Sequence, residues 1–284
     1  MHSRIVLNNQ LVAGEKARLP AITPASLYGR GVFTTLAVYN RRPFLWPEHW
    51  ERLTAHADRL MIDRQALDEE QTRSLLEELI EANRVREGRA RITLLSNARS
   101  DGLWSPGGAA AYDTQLLIMT NDAHAALTEG LALTLSPFRI NTLSPLVGIK
   151  SVNYMEHIVA REEARARDFH EAVMLNERGE VASATMANIF WVKEGALHTP
   201  ALQTGALAGT TRARLLQLAE DIGVPLVEGV NELAQLGDAD EIFLTSAGLG
   251  VAIVTTFDFH QYTVPVGSVA LRLHEAFRQL TLSM

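Results

Sequence analysis

The chain has 284 residues, of which 47% are hydrophobic and 21% are charged, and its formal net charge is −7. These values are typical of a soluble globular protein of one large domain or two ordinary ones, and they argue against a nucleic-acid-binding protein, which usually presents a basic face. The sequence has no cysteine, which excludes disulfides, thiolate nucleophiles and cysteine-based metal sites.

Targeting and membrane signals are also lacking in the sequence. The N-terminal residues show no basic region followed by a long apolar one, and no run of about 18 uninterrupted apolar residues occurs. We therefore expect a cytoplasmic protein. The nine histidines are scattered, so no metal site is expected.

The first part of the chain alternates hairpins and helices. Asn8 and Asn9 mark the turn of a first hairpin, and Asn40 marks a second. Pro47 starts an amphipathic helix, and a second helix is predicted over 68–85. Two strands, 90–97 and 112–120, flank a glycine-rich loop at 102–111. The polar segment after them predicts a small N-terminal domain over 1–120 and a linker over 121–130.

The second part, 131–284, is predicted to form a larger domain. Its elements are listed in chain order: a strand at 131–140, a long helix after Lys150, strands around a turn at 177–180, a strand at 196–200, a helix at 210–223, a strand–loop–strand at 241–258 and a last helix at 268–280. Hairpins outnumber regular βαβ units, so we predict two α/β or α+β domains.

Lysine is rare in this chain. Only three of the 26 basic residues are lysines, and one of them, Lys150, follows the apolar run 146–149. Burial against apolar groups lowers the pKa of a lysine and makes its amine a nucleophile, as in Schiff-base lysines. A lysine whose stem merely covers apolar surface would look the same. Local sequence leaves both interpretations open.

A Schiff-base lysine implies an aldehyde, and pyridoxal phosphate is the usual one. Its phosphate needs main-chain N–H groups at a helix start, hydroxyls and an arginine. Gly209, Thr210 and Thr211 stand where a helix is predicted to begin, and Thr245 and Ser246 follow a predicted strand. A Thr-Thr pair in that place is also an ordinary helix cap.

Six motifs in order resemble the class IV aminotransferases, the pyridoxal-phosphate enzymes of fold type IV, which include branched-chain and D-amino-acid aminotransferases and aminodeoxychorismate lyases. The motifs are LYGRGVFTT, EHWERL, KSVNYMEHIVAREEA, EAVMLNERGEV, MANIFWV and TGALAGTTRARLLQLA. The resemblance implies a two-domain α/β (α+β) fold with a smaller N-terminal domain and a larger C-terminal pseudo-barrel. It also implies a homodimer that acts on small amino acids and 2-oxo acids.

The resemblance assigns roles to single residues. Lys150 would hold pyridoxal 5'-phosphate as a Schiff base and move the substrate proton, with Tyr154 one helical turn later, on the same face and near the phenolic oxygen of the cofactor. The remaining cofactor residues would be Arg52, Thr210, Thr211, Ser246 and Ala247 at the phosphate and Leu207 on the ring. The residues that would bind the substrate are Tyr28, Arg30, Phe33 and Arg91.

Three positions depart from the family pattern. Ser183 stands where a glutamate usually pairs with the pyridine nitrogen, and a hydroxyl can only hydrogen-bond there. Arg30 replaces an aspartate, either as a surface exchange or as a partner for a substrate carboxylate, and Thr34 replaces a glutamate. Strand alternation puts Glu180 on the opposite face from Ser183, so Glu180 is not expected to substitute.

The sequence therefore leaves three functions open. The first is an aminotransferase between a small amino acid and a 2-oxo acid. The second is an aminodeoxychorismate lyase that releases pyruvate and 4-aminobenzoate. The third is a cofactor-binding homologue with weak or no turnover, because Ser183 replaces the carboxylate.

Overall fold

The computed structural model describes residues 1–65, 67–98, 112–123 and 130–283. The predicted glycine-rich loop at 102–111 and most of the predicted linker lie outside these residues. Contacts group the chain into two compact units, Met1–His124 with Ile149–Tyr154 and Ala125–Gly148 with Met155–Ser283. Both units mix helices with strands, so the predicted α/β class is confirmed. The predicted domain bounds stay a prediction.

The first unit is built on an antiparallel sheet. Its elements are β1 (Arg4–Leu7), β2 (Gln10–Ala13), α1 (Pro24–Tyr28), β3 (Gly31–Tyr39), β4 (Arg42–Pro43), α2 (Trp46–Arg59), α3 (Glu69–Ala82), β5 (Gly88–Ala98) and β6 (Tyr112–Asp122). The strand order is β2-β1-β6-β5-β3-β4. Both predicted hairpin turns occur, and their residues Asn8, Asn9, Asn40 and Arg41 have the positive φ that such two-residue turns require.

Helices α2 and α3 supply apolar side chains to the core of the first unit. Leu53 and Ala57 of α2 are buried with Leu76 and Leu79 of α3. Their spacing of three or four residues places each pair on one helix face. The outward faces of α2 and α3 are charged, so only their apolar faces pack against the sheet. Helix α2 packs on β3.

The second unit is built on a long, curled sheet. Its elements are β7 (Leu131–Ile140), α4 (Met155–Ala166), β8 (Glu171–Asn176), β9 (Val181–Ala184), β10 (Asn188–Lys193), β11 (Ala196–Pro200), α5 (Thr210–Asp221), β12 (Leu226–Gly229), α6 (Ala234–Gly237), β13 (Glu241–Ser246), β14 (Gly250–Phe257), β15 (His260–Gln261) and α7 (Val269–Leu282). The order is β12-β11-β10-β13-β14-β7-β8-β9, with β15 on β14.

The sheet curls so far that β9, the last strand in this order, comes close to β10 in the other half of the sheet. Strand β9 contacts β10, and the Ala184 N–H donates to the Ala187 carbonyl. The concave face is filled by side chains such as Val173, Ile189 and Leu244. The predicted pseudo-barrel is thus confirmed as a half-barrel sheet. Among the described residues, no helix is long and apolar enough to cross a membrane.

Candidate functional site

The segment that carries Lys150 is extended and pairs with the start of β3. Phe33 N donates to Lys150 O at 2.9 Å, and Val152 N donates to Gly31 O at 2.9 Å. Gly31 permits this approach, since a Cβ there would lie 2.9 Å from Cγ2 of Val152 in the same segment. Main-chain hydrogen bonds therefore fix Lys150 to the sheet of the first unit.

The prediction that Lys150 and Tyr154 share a helix turn is wrong. Helix α4 begins only at Met155, because main-chain groups of the residues before it form hydrogen bonds with β3. The two side chains nevertheless meet, with Lys150 Nζ 5.0 Å from the centre of the Tyr154 ring. The expected proximity is reached by an extended segment instead of a helix.

Aromatic rings surround the amine of Lys150. Its Nζ lies 4.6 Å from the centre of the Phe33 ring, and Phe33 and Tyr154 meet edge to face at 5.5 Å. Arg91 Cζ lies 3.6 Å from the centre of the same Phe33 ring, and Arg91 Nε donates to Thr93 Oγ1 at 3.3 Å. The structure thus brings four predicted site residues together.

Arg89, which shares the predicted strand face with Arg91, takes a different position. Its Nε donates to the Asp122 carbonyl at 3.2 Å, at the far end of the β5–β6 pairing. Of the two arginines, Arg91 is the one that lies over the ring of Phe33.

Electrostatics favour the neutral form of the Lys150 amine. Burial, and then the positive charges of Arg52 and Arg91, lower the pKa of Lys150 to about 7. This shift makes the unprotonated, nucleophilic form of the amine accessible at neutral pH. Burial also lowers the pKa of Arg52 to about 10 and lowers the pKa of Arg91, and both guanidiniums keep their charge at neutral pH.

One face of α2 presents His49, Arg52 and His56, spaced three and four residues apart. Arg52 Nη2 donates to Thr34 Oγ1 at 2.8 Å. The same hydroxyl lies 2.7 Å from His49 Nδ1, where it can donate to a bare ring nitrogen or accept from an N–H. Burial, and then the positive charges of Arg52 and Lys150, lower the pKa of His49 well below its usual value and favour the neutral ring.

Thr34, at 1% exposure, is thus a bridge between Arg52 and His49. We expect Thr34→Val to lower the free energy of unfolding by about 1–3 kcal/mol, because two buried polar groups lose their partner. Thr34→Ser keeps the hydroxyl and should stay near the wild type. Urea titration of the three proteins measures the difference, and an unchanged midpoint for Thr34→Val would show that the bridge contributes nothing.

Two predicted substrate residues lie elsewhere in the first unit. Tyr28 ends α1 and is 57% exposed. Arg30 Nη2 donates to the carbonyls of Leu60 and Met61, at 3.4 and 3.0 Å, and so caps the C-terminal end of α2. The substrate roles of Tyr28 and Arg30 stay predictions.

In the second unit, the start of α5 is held by Asn188. Its Nδ2 donates to the Leu207 carbonyl at 2.8 Å, and a Cβ on Gly209 would lie only 2.1 Å from Asn188 Oδ1. Glycine is therefore required directly before Thr210 and Thr211, which are both buried. The segment predicted to bind phosphate forms a tight turn into the N-terminus of a helix, the kind of end that favours anions, and its phosphate role stays a prediction.

Two buried hydroxyls of the second unit have no hydrogen-bond partner among the described residues. They are Ser183 Oγ on β9 and Thr245 Oγ1 on β13. Ser246 instead accepts from Leu249 N at 3.2 Å and precedes Ala247 in the turn after β13. Unpartnered buried hydroxyls are costly, and their presence fits a polar ligand that supplies the missing bonds.

Glu180 is not available in place of the missing carboxylate. Its oxygens accept from Arg178 Nε and Nη2 at 3.0 and 2.7 Å, and from Asn176 Nδ2 at 2.7 Å. These bonds lower the pKa of Glu180 and hold it on the surface turn between β8 and β9.

His49 and His56 were not predicted as site residues, although His49 belongs to the motif EHWERL. Their spacing with Arg52 along a predicted helix could have identified them, because it puts all three residues on one helix face. Asn188 was also missed, and its role depends on the fold around Gly209.

A model of the family described as amino-transferase class IV matches residues 31–257. An aminodeoxychorismate lyase of Bacillus subtilis is 29% identical over 281 residues, which cover 97% of this chain and 94% of that protein. A D-alanine aminotransferase of Listeria monocytogenes is 27% identical and covers 96% and 94% of the two chains.

Solved structures agree with this match. The branched-chain aminotransferase of Thermoproteus uzoniensis, determined with norvaline, superposes with a TM-score of 0.90 at 26% identity. The alignment covers 100% of this chain and 96% of that one.

Proposed function

The chain belongs to the class IV aminotransferases, a family of enzymes, and we propose that it transfers an amino group between a small amino acid and a 2-oxo acid. The observation that supports the proposal is the position of the Lys150 amine, 4.6 Å from the centre of the Phe33 ring and 5.0 Å from that of Tyr154, with Arg91 over the same Phe33 ring. The proposed enzyme is a cytoplasmic homodimer.

The proposed cofactor is pyridoxal 5'-phosphate. It supplies an aldehyde that captures amines and a conjugated ring that withdraws electrons from Cα of a bound amino acid. The residues present fit it: a nucleophilic amine, arginines for its phosphate and for a carboxylate, and the unpartnered hydroxyls of Ser183 and Thr245. Ser183 is proposed to hydrogen-bond the pyridine nitrogen.

Arg52 is proposed to bind the phosphate. Its guanidinium is oriented by the neutral groups Thr34 and His49, so its positive charge is not cancelled by them. A charge-assisted hydrogen bond to phosphate is among the stronger ones in proteins. Leu207, Thr210, Thr211, Ser246 and Ala247 keep their predicted cofactor roles as part of the proposal.

Arg91 is proposed to bind the carboxylate of the substrate. Its Cζ lies 3.6 Å from the centre of the Phe33 ring, and a guanidinium stacked on an aromatic ring can offer its edge to a carboxylate in a bidentate bond. Phe33 contacts both Arg91 and the Lys150 amine, so a substrate carboxylate on Arg91 would be held near that amine.

Lys150 is proposed to move the substrate proton. Its Nζ would take the proton that leaves Cα of the substrate, because an amine with a pKa lowered to about 7 is matched to proton transfer at neutral pH. Tyr154, next to Nζ, would limit the directions from which water reaches this amine.

A lyase of the aminodeoxychorismate type is the second candidate, favoured by the similarity to the Bacillus subtilis lyase over nearly the whole chain. It needs the same lysine and cofactor but no acceptor.

A donor screen distinguishes the two candidates. The full chain is loaded with pyridoxal 5'-phosphate and given small amino acids or aminodeoxychorismate, each with and without a 2-oxo acid. We expect amino transfer that depends strictly on the 2-oxo acid. Release of pyruvate and 4-aminobenzoate without any acceptor would establish the lyase instead, and no product in any mixture would contradict both.

A further inference from the structure

The main-chain N–H of Lys150 donates to a histidine ring. Its acceptor is Nδ1 of His56, 3.0 Å away on α2. The neighbouring main-chain groups of this segment pair with β3, where Lys150 O accepts from Phe33 N. The Cα of Lys150 is therefore fixed from two sides, by the sheet through its carbonyl and by α2 through its N–H.

This hydrogen bond defines the protonation state of His56. A ring nitrogen that accepts an N–H carries no proton, so the ring is neutral and its single proton is on Nε2. The surroundings favour that form. His56 is 7% exposed, and burial together with the positive charges of Arg52 and Arg59 on its own helix and of Lys150 facing it lowers its pKa to about 4.

We propose that His56 is a positioning residue that fixes the main chain of Lys150 through its unprotonated Nδ1. The inference rests on the proposed role of Lys150 as the reactive lysine. A lysine stem has four rotatable bonds, so the amine can be placed precisely only if its Cα does not move. Protonation of His56 would turn the acceptor into a donor facing another donor and add a charge beside the amine.

Amide hydrogen exchange of Lys150 in the cofactor-free full chain tests the bond directly. His56→Leu removes the acceptor, and His56→Asn can present Oδ1 in its place. We expect His56→Leu to speed exchange of the Lys150 amide by about tenfold or more, since one buried hydrogen bond is lost, and His56→Asn to restore most of the protection.

His170 provides a matched control. Its Nδ1 accepts the Ala132 N–H at 2.9 Å, which is the same kind of bond in the second unit. His170→Leu should leave exchange at Lys150 unchanged. In the wild type, protection of the Lys150 amide should persist above the pKa of His56 and fall as the pH drops through about 4, whereas His56→Asn should lack this step.

A second measurement follows the amine itself. The chain has only three lysines, so acylation of Lys150 can be compared by mass spectrometry with that of exposed Lys16 in the same sample. We expect His56→Leu to move the titration midpoint of Lys150 upward, towards that of an ordinary lysine, because a less fixed amine reaches more water. His170→Leu should not move it.

Two results would overturn the proposal: wild-type protection of the Lys150 amide in His56→Leu, or equal loss in His56→Leu and His56→Asn. If His56→Leu does not fold, nitrogen NMR of the wild-type histidines decides, and a protonated Nδ1 at neutral pH overturns the idea. These readouts need no cofactor. A wild type that anchors Lys150 but never binds pyridoxal phosphate would therefore contradict the proposed function alone.

Discussion

Lys150→Ala should eliminate the visible absorption band of the protein loaded with pyridoxal phosphate and reduce turnover by about 10²–10⁴-fold or more, because the amine that holds the aldehyde and moves the Cα proton is gone. The side chain lies among aromatic rings and arginines, and its removal deletes a poorly solvated cation, so the fold should persist. Absorption spectra and steady-state rates measure both effects.

Lys16→Ala is the matched control for this experiment. Lys16 is exposed and follows β2 in the same unit, so its loss should change neither the spectrum nor the rate. Full activity of Lys150→Ala would refute the assignment of Lys150, whatever the effect of the control.

Arg52→Gln should weaken binding of pyridoxal 5'-phosphate by about 10–100-fold, since charge-assisted hydrogen bonds contribute about 1.5–3 kcal/mol. The effect should be smaller for pyridoxal, which has no phosphate. That difference separates loss of a phosphate contact from general damage to the site. Fluorescence titration of the cofactor-free protein with each compound gives both dissociation constants.

Arg59→Gln, at the exposed C-terminal end of the same helix, controls for the charge removed from α2. We expect it to leave both dissociation constants nearly unchanged. Equal weakening of pyridoxal and pyridoxal 5'-phosphate by Arg52→Gln would show that Arg52 does not bind the phosphate.

The local elements of this fold were well predicted from the sequence because their signals are local. The Asn8-Asn9 turn and the apolar spacing of α2 each depend on neighbouring residues only. The short helix α1 and the edge strand β12 were not predicted, since five and four residues carry little periodicity.

The environment of Lys150 could be predicted only in part. Its rarity and the ordered motifs identified the residue, but not the conformation of its segment. That conformation depends on Gly31 and His56, which lie 119 and 94 positions earlier in the chain. The apolar run before Lys150 did not predict the surroundings of the amine, because the amine contacts the rings of Phe33 and Tyr154.

Ser183 remains the main difference from the family pattern. The structure adds that this side chain is 6% exposed and that its hydroxyl has no hydrogen-bond partner among the described residues. A hydroxyl in that state suits a neutral ring nitrogen better than a protonated one, so the proposed enzyme would rely less on a charged ring than carboxylate-bearing relatives do.

The Lys150 amine, rather than another lysine, is proposed to hold the cofactor aldehyde. To test this, the full chain is loaded with pyridoxal 5'-phosphate, the linkage is fixed with borohydride, the protein is digested and the added mass is located among its three lysines. We predict the modification on Lys150, with Lys16 and Lys193 unmodified. Modification of either of those lysines in place of Lys150, or no stable modification at all, would contradict it.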